Sequence, residues 1–339
     1  SELSELTGIQ KSILNDVIKG KRSLTPEMAL LLENALGISA TYLMNIQTQY
    51  ELDCAKQSER VVLQTKMLEI WNILKDQVSI PFFRKMNIVR GNIIEDVKRI
   101  LEVFNVDKLD DFLELKAKEM ELSYYRKLDK VKTNPIDLLS WKYYCYHLSK
   151  KEESKLCAFD KEADVNALTS ELNSVFRVNK NTVNETKSIL NKYGIRFLIV
   201  NKVGQVPVDG MSFWIDESPT IIITERIASI DNFAFTTLHE VGHVFKHLTP
   251  NGRAMINLVE EKKSIEESEA DEFALNAILP HADWKRFMTR TRDVVPYKIA
   301  PHIKKEADKH NLNPQLLFGR YKHDIGIYKI KNFFETEIQ

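Results

Sequence analysis

Cysteine is scarce: Cys54, Cys145 and Cys157 are the only three in 339 residues, widely spaced and in no C-x-x-C arrangement. That argues against a disulfide framework and a thiolate zinc site, and makes a reducing cytoplasm the expected location. No run of about 18 apolar residues exists, so no membrane-spanning helix is expected. The opening Ser1-Glu2-Leu3-Ser4-Glu5-Leu6 has neither the basic flank nor the apolar core of a secretory signal. An excess of one charge is missing too, with 48 Lys and Arg against 48 Asp and Glu and a pI near 7.1. Any DNA-binding surface must therefore be local.

What is present fits folded domains. Hydrophobic residues make up 43%, charged residues 28%, and mean hydropathy is -0.30. The length predicts two or three domains. Three segments are expected: 1–65, a helix-turn-helix bundle; 66–190, a helical middle region; and 191–339, a small α+β domain followed by helices. The fold class is mostly α with a small sheet near the C-terminus.

Glycines punctuate the first segment. Gly8 follows a short helix ending at Thr7, where a C′ glycine belongs. Ile9, Ile13, Leu14, Val17 and Ile18 form a helical stripe up to Gly20. Thr25-Pro26-Glu27 opens a third helix, ending near Gly37, and Ser39 can start a fourth. Helix, glycine turn, helix is the outline of a DNA reader whose second helix enters the major groove. Gln10, Lys11, Ser12 and, one turn on, Asn15 would reach base edges, while Lys19, Lys21 and Arg22 could meet phosphates. A plain helical mini-bundle would show the same spacing.

Three stretches add to that outline: Leu6 to Ile9, Ile18 to Thr25 and Ala29 to Ser39. Together they resemble the Xre-type helix-turn-helix, most closely the HigA antitoxins. The resemblance implies an autorepressor that binds operator DNA as a homodimer. The usual first helix of that fold is expected to be missing, since the chain starts inside what should be helix two.

From Leu52 to Lys192 helix formers dominate and Gly91 is the only glycine. Cys54 to Lys75 reads as one long helix, and Thr133-Asn134-Pro135-Ile136 as the entry of another. Trp141, Tyr143, Tyr144 and Tyr146 are expected to pack in a helical core rather than stack on nucleotides. After Gly194 the texture turns to strands. Ile195 to Val200 is one run, followed by a turn around Asn201 and Gly204. Met211 to Ile215 and Thr220 to Thr224 form a pair joined by Asp216 to Pro219. Helices then cover Asn232 to His247 and Ile265 to Leu279.

His239-Glu240-Val241-Gly242-His243 carries the chemistry. Two histidines four residues apart on a helix project from one face, one turn apart, and can bind a single Zn²⁺. Glu240 points roughly 100° from His239 and 60° from His243, so it flanks the metal and can take the proton of an attacking water. Leu238, Val241, Val244, Phe245 and Leu248 face the other way, into a core. A histidine pair on such a helix needs an explanation.

A zinc protease also requires a third protein ligand. Downstream, Glu267, Asp271, Ala274 and Ile278 share one helical stripe. Two carboxylates heading an apolar stripe would be costly to bury unless paired or bound to metal. Glu267 is accordingly the expected third ligand. Asp271 is expected to accept the free N–H of a liganding histidine. Glu266, Glu269 and Glu272 read as a solvated acidic face. His247 lies about 12 Å along the axis from His239, too far to share one tetrahedral ion, and reads as solvated or as a partner behind the ligands.

Thr236 to His243, Glu267 to Ala274 and Leu279-Pro280 together resemble the ImmA/IrrE family of zinc endopeptidases, over roughly Gly194 to Leu279. Family members resemble gluzincins in their Glu-x-x-x-Asp placement, and many carry Asn where Asp271 stands. The resemblance implies cleavage of a partner repressor, and a substrate strand laid beside a sheet edge, for which Met211 to Ile215 is the candidate. Leu316 to Asp324 resembles a segment of peptidase–Xre fusions. Its His323 could support an oxyanion or be structural. The expected protein is a cytoplasmic zinc endopeptidase coupled to an operator-binding domain. A repressor whose peptidase fold only senses or binds a partner is the rival reading.

Overall fold

The computed structural model describes residues 2–125, 134–153, 155–202, 208–224, 228–250, 252, 254–258, 264–327 and 329–339, with side chains throughout except at 120–125. Thr133 and Gly204, placed by the sequence at a helix entry and a turn, lie outside the described residues. The chain divides into two compact units, Ser1–Leu74 with Asn92–Val97, and Lys75–Gly91 with Lys98–Gln339.

The first unit holds α1 (Glu2–Thr7), α2 (Lys11–Ile18), α3 (Pro26–Leu36), α4 (Ala40–Gln57) and α5 (Glu59–Leu74). Thr25 caps α3 by accepting from the Met28 N–H, with Pro26 in the first turn. Gly37 closes α3 at φ 68°, a conformation that costs glycine nothing. Ile9, Leu14, Leu24, Met28, Ala29 and Leu32 make a small core. The long helix expected from Cys54 to Lys75 is two helices. Ser58 is extended at φ -67°, ψ 119°, and its carbonyl receives the Val62 N–H that opens α5. Serine competes poorly for helix interiors and favours their ends.

The second unit begins with helices: α6 (Ile80–Lys85), the later part of α7 (Ile93–Val103), α8 (Leu109–Tyr125) and α9 (Pro135–Lys151). Trp141 and Tyr144 are buried, Tyr143 stacks on Phe104, and Tyr146 meets Phe213 edge-on. Then come α10 (Val165–Val178), α11 (Thr182–Lys192), β1 (Arg196–Val200), β2 (Val208–Ile215), β3 (Ser218–Thr224), α12 (Ile230–Lys246), β4 (Met255–Leu258) and α13 (Ile265–Ile278). Three further helices follow: α14 (His281–Arg290), α15 (Ala300–His310) and α16 (Pro314–Asp324).

The sheet runs β1-β3-β2-β4, with β1 parallel to β3 and the other neighbours antiparallel. Ile221, Ile222 and Ile223 of β3 are all buried, as a central strand covered on both faces requires. Asp216 takes the turn between β2 and β3 at φ 51°. Of the run Met211 to Ile215, expected at a sheet edge, Met211 and Ser212 lie inside the sheet, because β4 pairs with β2 from Val208 to Ser212, while Phe213 to Ile215 run on past β4 with β3 as their paired neighbour among the described residues. A run of four residues, Met255-Ile256-Asn257-Leu258, is too short to read as a strand beforehand; only a partner strand defines it. Phe233, Leu238, Val241 and Val244 of α12 join Ile221 and Ile223 in the main core, with Ala274 of α13 and Phe318 of α16. This clamps α12 against the sheet on one side and against α13 on another.

Candidate metal centre

Helix α12 brings His239, Glu240 and His243 into a buried interior, each at most 1% exposed. Its end is set by the next residues: His247 and Leu248 both donate to the His243 carbonyl, and Pro250 follows. Gly242 lets α13 come close, since a Cβ there would lie 3.0 Å from Phe273 Cδ1.

Helix α13 presents the carboxylates. Ser264 Oγ accepts the Glu267 N–H, which places Glu267 at the third helical position of a Ser-x-x-Glu start. In a capping box that glutamate reaches back to the cap. Here it reaches the histidines instead: Oε2 lies 3.2 Å from His239 Nε2, and Oε1 3.2 Å from His243 Nε2. The positive end of the helix dipole also favours a carboxylate there. At the far end of α13, the buried Arg320 donates to the carbonyls of Leu275 and Leu279, both at 2.8 Å, and stacks over Trp284. Burial lowers its pKa to about 10.

His239 Nε2 and His243 Nε2 are 3.0 Å apart. Three lone-pair donors thus converge with ligand atoms all within 4.8 Å of one another. Neighbouring donors around a tetrahedral zinc with bonds of about 2.0–2.1 Å stand about 3.3 Å apart. The donor set, two imidazoles and one carboxylate, also suits that ion, so these residues fit a zinc ion by chemistry and spacing.

Electrostatics carries the same message. Burial works against a charged His239, yet Asp271, with Oδ1 2.9 Å from its Nδ1, and Glu267 raise its pKa to about 10. Burial likewise opposes a charged Glu267, and the two histidines overcome it, holding the carboxyl at about 2. Without a metal ion, a proton on His239 supplies the positive charge that the cluster demands.

Glu240 stands apart from this network. It is fully buried, and among the described residues neither carboxylate oxygen has a hydrogen-bond partner. Burial pushes its pKa up to about 8, against the pull of His239 and of Ser212. The Ser212 hydroxyl is near enough to oppose the shift but completes no hydrogen bond, its own Oγ also lacking a partner.

Residues 191–310 match the family model for the IrrE N-terminal-like domain, a peptidase family, and residues 1–43 match a helix-turn-helix model. The chain joins a helix-turn-helix to an IrrE N-terminal-like domain. No curated protein matches it. In the IrrE N-terminal-like domain the structure brings together His239, Glu240, His243, Glu267 and Asp271. It leaves His323 exposed near the end of α16, its Nδ1 3.2 Å from Asp324. Within the helix-turn-helix, Gln10, the residue before α2, and Lys11, Ser12 and Asn15 of α2 are all exposed, while Leu14 is buried.

Of the two readings of His247, the structure has it behind the ligands rather than solvated: its side chain is only 7% exposed and its Nδ1 lies 2.9 Å from His243 Nδ1. Glu269, read as a solvated carboxylate, pairs with it. The repeat of histidine at positions 239, 243 and 247 was the available signal. Gly210, whose backbone lies so close to Glu240 that a Cβ would meet its Oε1 at 2.5 Å, and Arg320 carried none, since their roles depend on distant contacts.

Proposed function

We propose that the IrrE N-terminal-like domain is a zinc endopeptidase that cleaves a specific partner protein, a repressor or regulator, and that the helix-turn-helix binds operator DNA, with homodimerisation as its arrangement on DNA. His239, His243 and Glu267 would hold the ion, and Asp271 would keep His239 in the tautomer whose Nε2 is bare. A zinc ion there would polarise the scissile carbonyl and make a water acidic enough to attack near neutral pH.

The single observation that carries the catalytic reading is Glu240. A fully buried carboxylate with two unpartnered oxygens is costly, on the order of several kcal/mol. A purely structural metal site has no use for it. Beside the ligand cluster it is placed to take a proton from the attacking water and to deliver it to the departing amine. The reading of the fold as a mere partner sensor leaves this group unexplained.

Glu240→Gln tests it. Cells producing the parent or the variant are compared by labelling of protein N-termini, with zinc content measured on both purified proteins. Equal zinc, and a new N-terminus that disappears with the variant, is the expected result. Equal zinc with identical N-termini would remove the peptidase assignment.

A further inference from the structure

The two histidines of the cluster are backed differently. His239 Nδ1 meets Asp271 directly at 2.9 Å. His243 Nδ1 meets another imidazole, His247 Nδ1, also at 2.9 Å, and His247 Nε2 lies 2.8 Å from Glu269 Oε2. An ionised carboxylate only accepts, so Glu269 requires the proton of a neutral His247 to sit on Nε2. His247 Nδ1 is then an acceptor and draws the Nδ1–H of His243. His243 Nε2 is left bare, 3.0 Å from His239 Nε2 and 3.2 Å from Glu267.

We propose that Glu269 and His247 form a two-member relay that positions His243 for the metal by holding its single useful tautomer. This rests on the reading of His239, His243 and Glu267 as zinc ligands. The opposite tautomer of His243 would point an N–H at the ion and forfeit the ligand. Helix α13 then supplies a ligand in Glu267 and both carboxylates that stand behind the histidines, Asp271 and Glu269. His247 is a positioning residue. Its place at the end of α12 hands the orientation of His243 to a half-exposed carboxylate on the neighbouring helix.

The test is a double-variant cycle on the full chain, reading the zinc dissociation constant by competition with a chelator and the fold by circular dichroism. His247→Ala is expected to weaken zinc by about 10–100-fold, as for other partners behind metal ligands. Glu269→Ala weakens it in the same direction. The double variant is no weaker than His247→Ala alone, because Glu269 acts only through His247. Asp271→Asn acts through the other histidine, so its loss multiplies with that of His247→Ala.

Ring ¹⁵N spectra of the metal-free protein, where zinc does not itself fix the tautomers, give a readout that a merely structural role would not move. In the parent, His247 carries its proton on Nε2, and Glu269→Ala releases it to a mixture. Should His247→Ala fail to fold, Glu269→Ala at its half-exposed position decides alone. Unchanged zinc affinity in folded His247→Ala or Glu269→Ala overturns the relay and leaves the zinc reading standing. So do losses that multiply in the double variant, since Glu269 would then act by its charge. A parent that takes up no zinc overturns both.

Discussion

Gly210 of β2 and Glu240 of α12 touch so closely that a Cβ on Gly210 would lie 2.5 Å from Glu240 Oε1 and 3.0 Å from its Cγ and Cδ. The backbone of the strand forms the wall against which the carboxylate rests. Gly210→Ala should therefore displace Glu240 without touching the ligand set. A misplacement of about 1 Å costs on the order of 10²-fold in rate. Turnover of the cleaved partner is expected to fall by about that factor, with zinc affinity within a few-fold of the parent. A variant that keeps full turnover would contradict the placement of Glu240 in the reaction.

Removing the carboxylate that bridges both histidines should release the ion. Glu267→Ala is expected to weaken zinc by more than the about 10–100-fold that follows loss of a partner behind a ligand. Metal analysis after dialysis against a weak chelator measures it. Retention of stoichiometric zinc would exclude Glu267 as a ligand.

Acidity should act in opposite senses on the metal-free and zinc-loaded protein. Glu267 is held at about 2, below its ordinary 4.5, so its stabilisation is present above pH 4.5 and lost as pH falls toward 2. His239 is raised to about 10 from 6.5, so its contribution is present below pH 6.5 and lost as pH rises through 10. Glu240 is raised to about 8, so folding favours its protonated form and loses stability from pH 4.5 through 8. For these three groups the metal-free protein is most stable near pH 4.5 and declines above it. Zinc binding must expel the proton from His239, so the zinc-induced rise in Tm should grow between pH 6 and 8. Thermal melts with chelator or with zinc across that range check both slopes. A zinc-induced shift that shrinks with pH would count against imidazole ligation.

Packing between α12 and α13 has no room at Gly242, where a Cβ would stand 3.0–3.2 Å from three atoms of Phe273. Gly242→Ala should cost about 1–3 kcal/mol by overpacking. The check is the denaturation midpoint of the metal-free protein; no change would mean that Phe273 simply moves aside.

Exposed residues at the start of α2 should govern DNA preference. Asn15→Ala is expected to cost about 1–3 kcal/mol on an operator selected from random duplexes, with little change on unselected DNA. Lys11→Ala should also lower the preference for that operator. Gel shifts at a fixed salt concentration decide it, and unaltered preference in both variants would move the recognition surface elsewhere.

Several parts of this protein were legible from the chain alone. Helical period placed His239, Glu240 and His243 on α12, and helix phase separated Glu267 and Asp271 from Glu272, because residues on one helix keep fixed angular relations. Caps at Thr25 and Gly37 were legible for the same local reason. What sits behind the site was not. Glu269 lies 22 residues from His247, and Gly210 30 from Glu240. Nor was β4 visible, since a four-residue edge strand exists only by pairing with β2.

Sequence by itself determined which side chains share one turn of one helix, since backbone geometry dictates that at short range. Tertiary structure alone decided which carboxylate faces which imidazole, and that Glu240 is buried with no hydrogen-bond partner among the described residues. Those relations arise where α12, α13 and β2 are pressed together by the burial of their apolar faces, and no local pattern records the register in which packed elements meet.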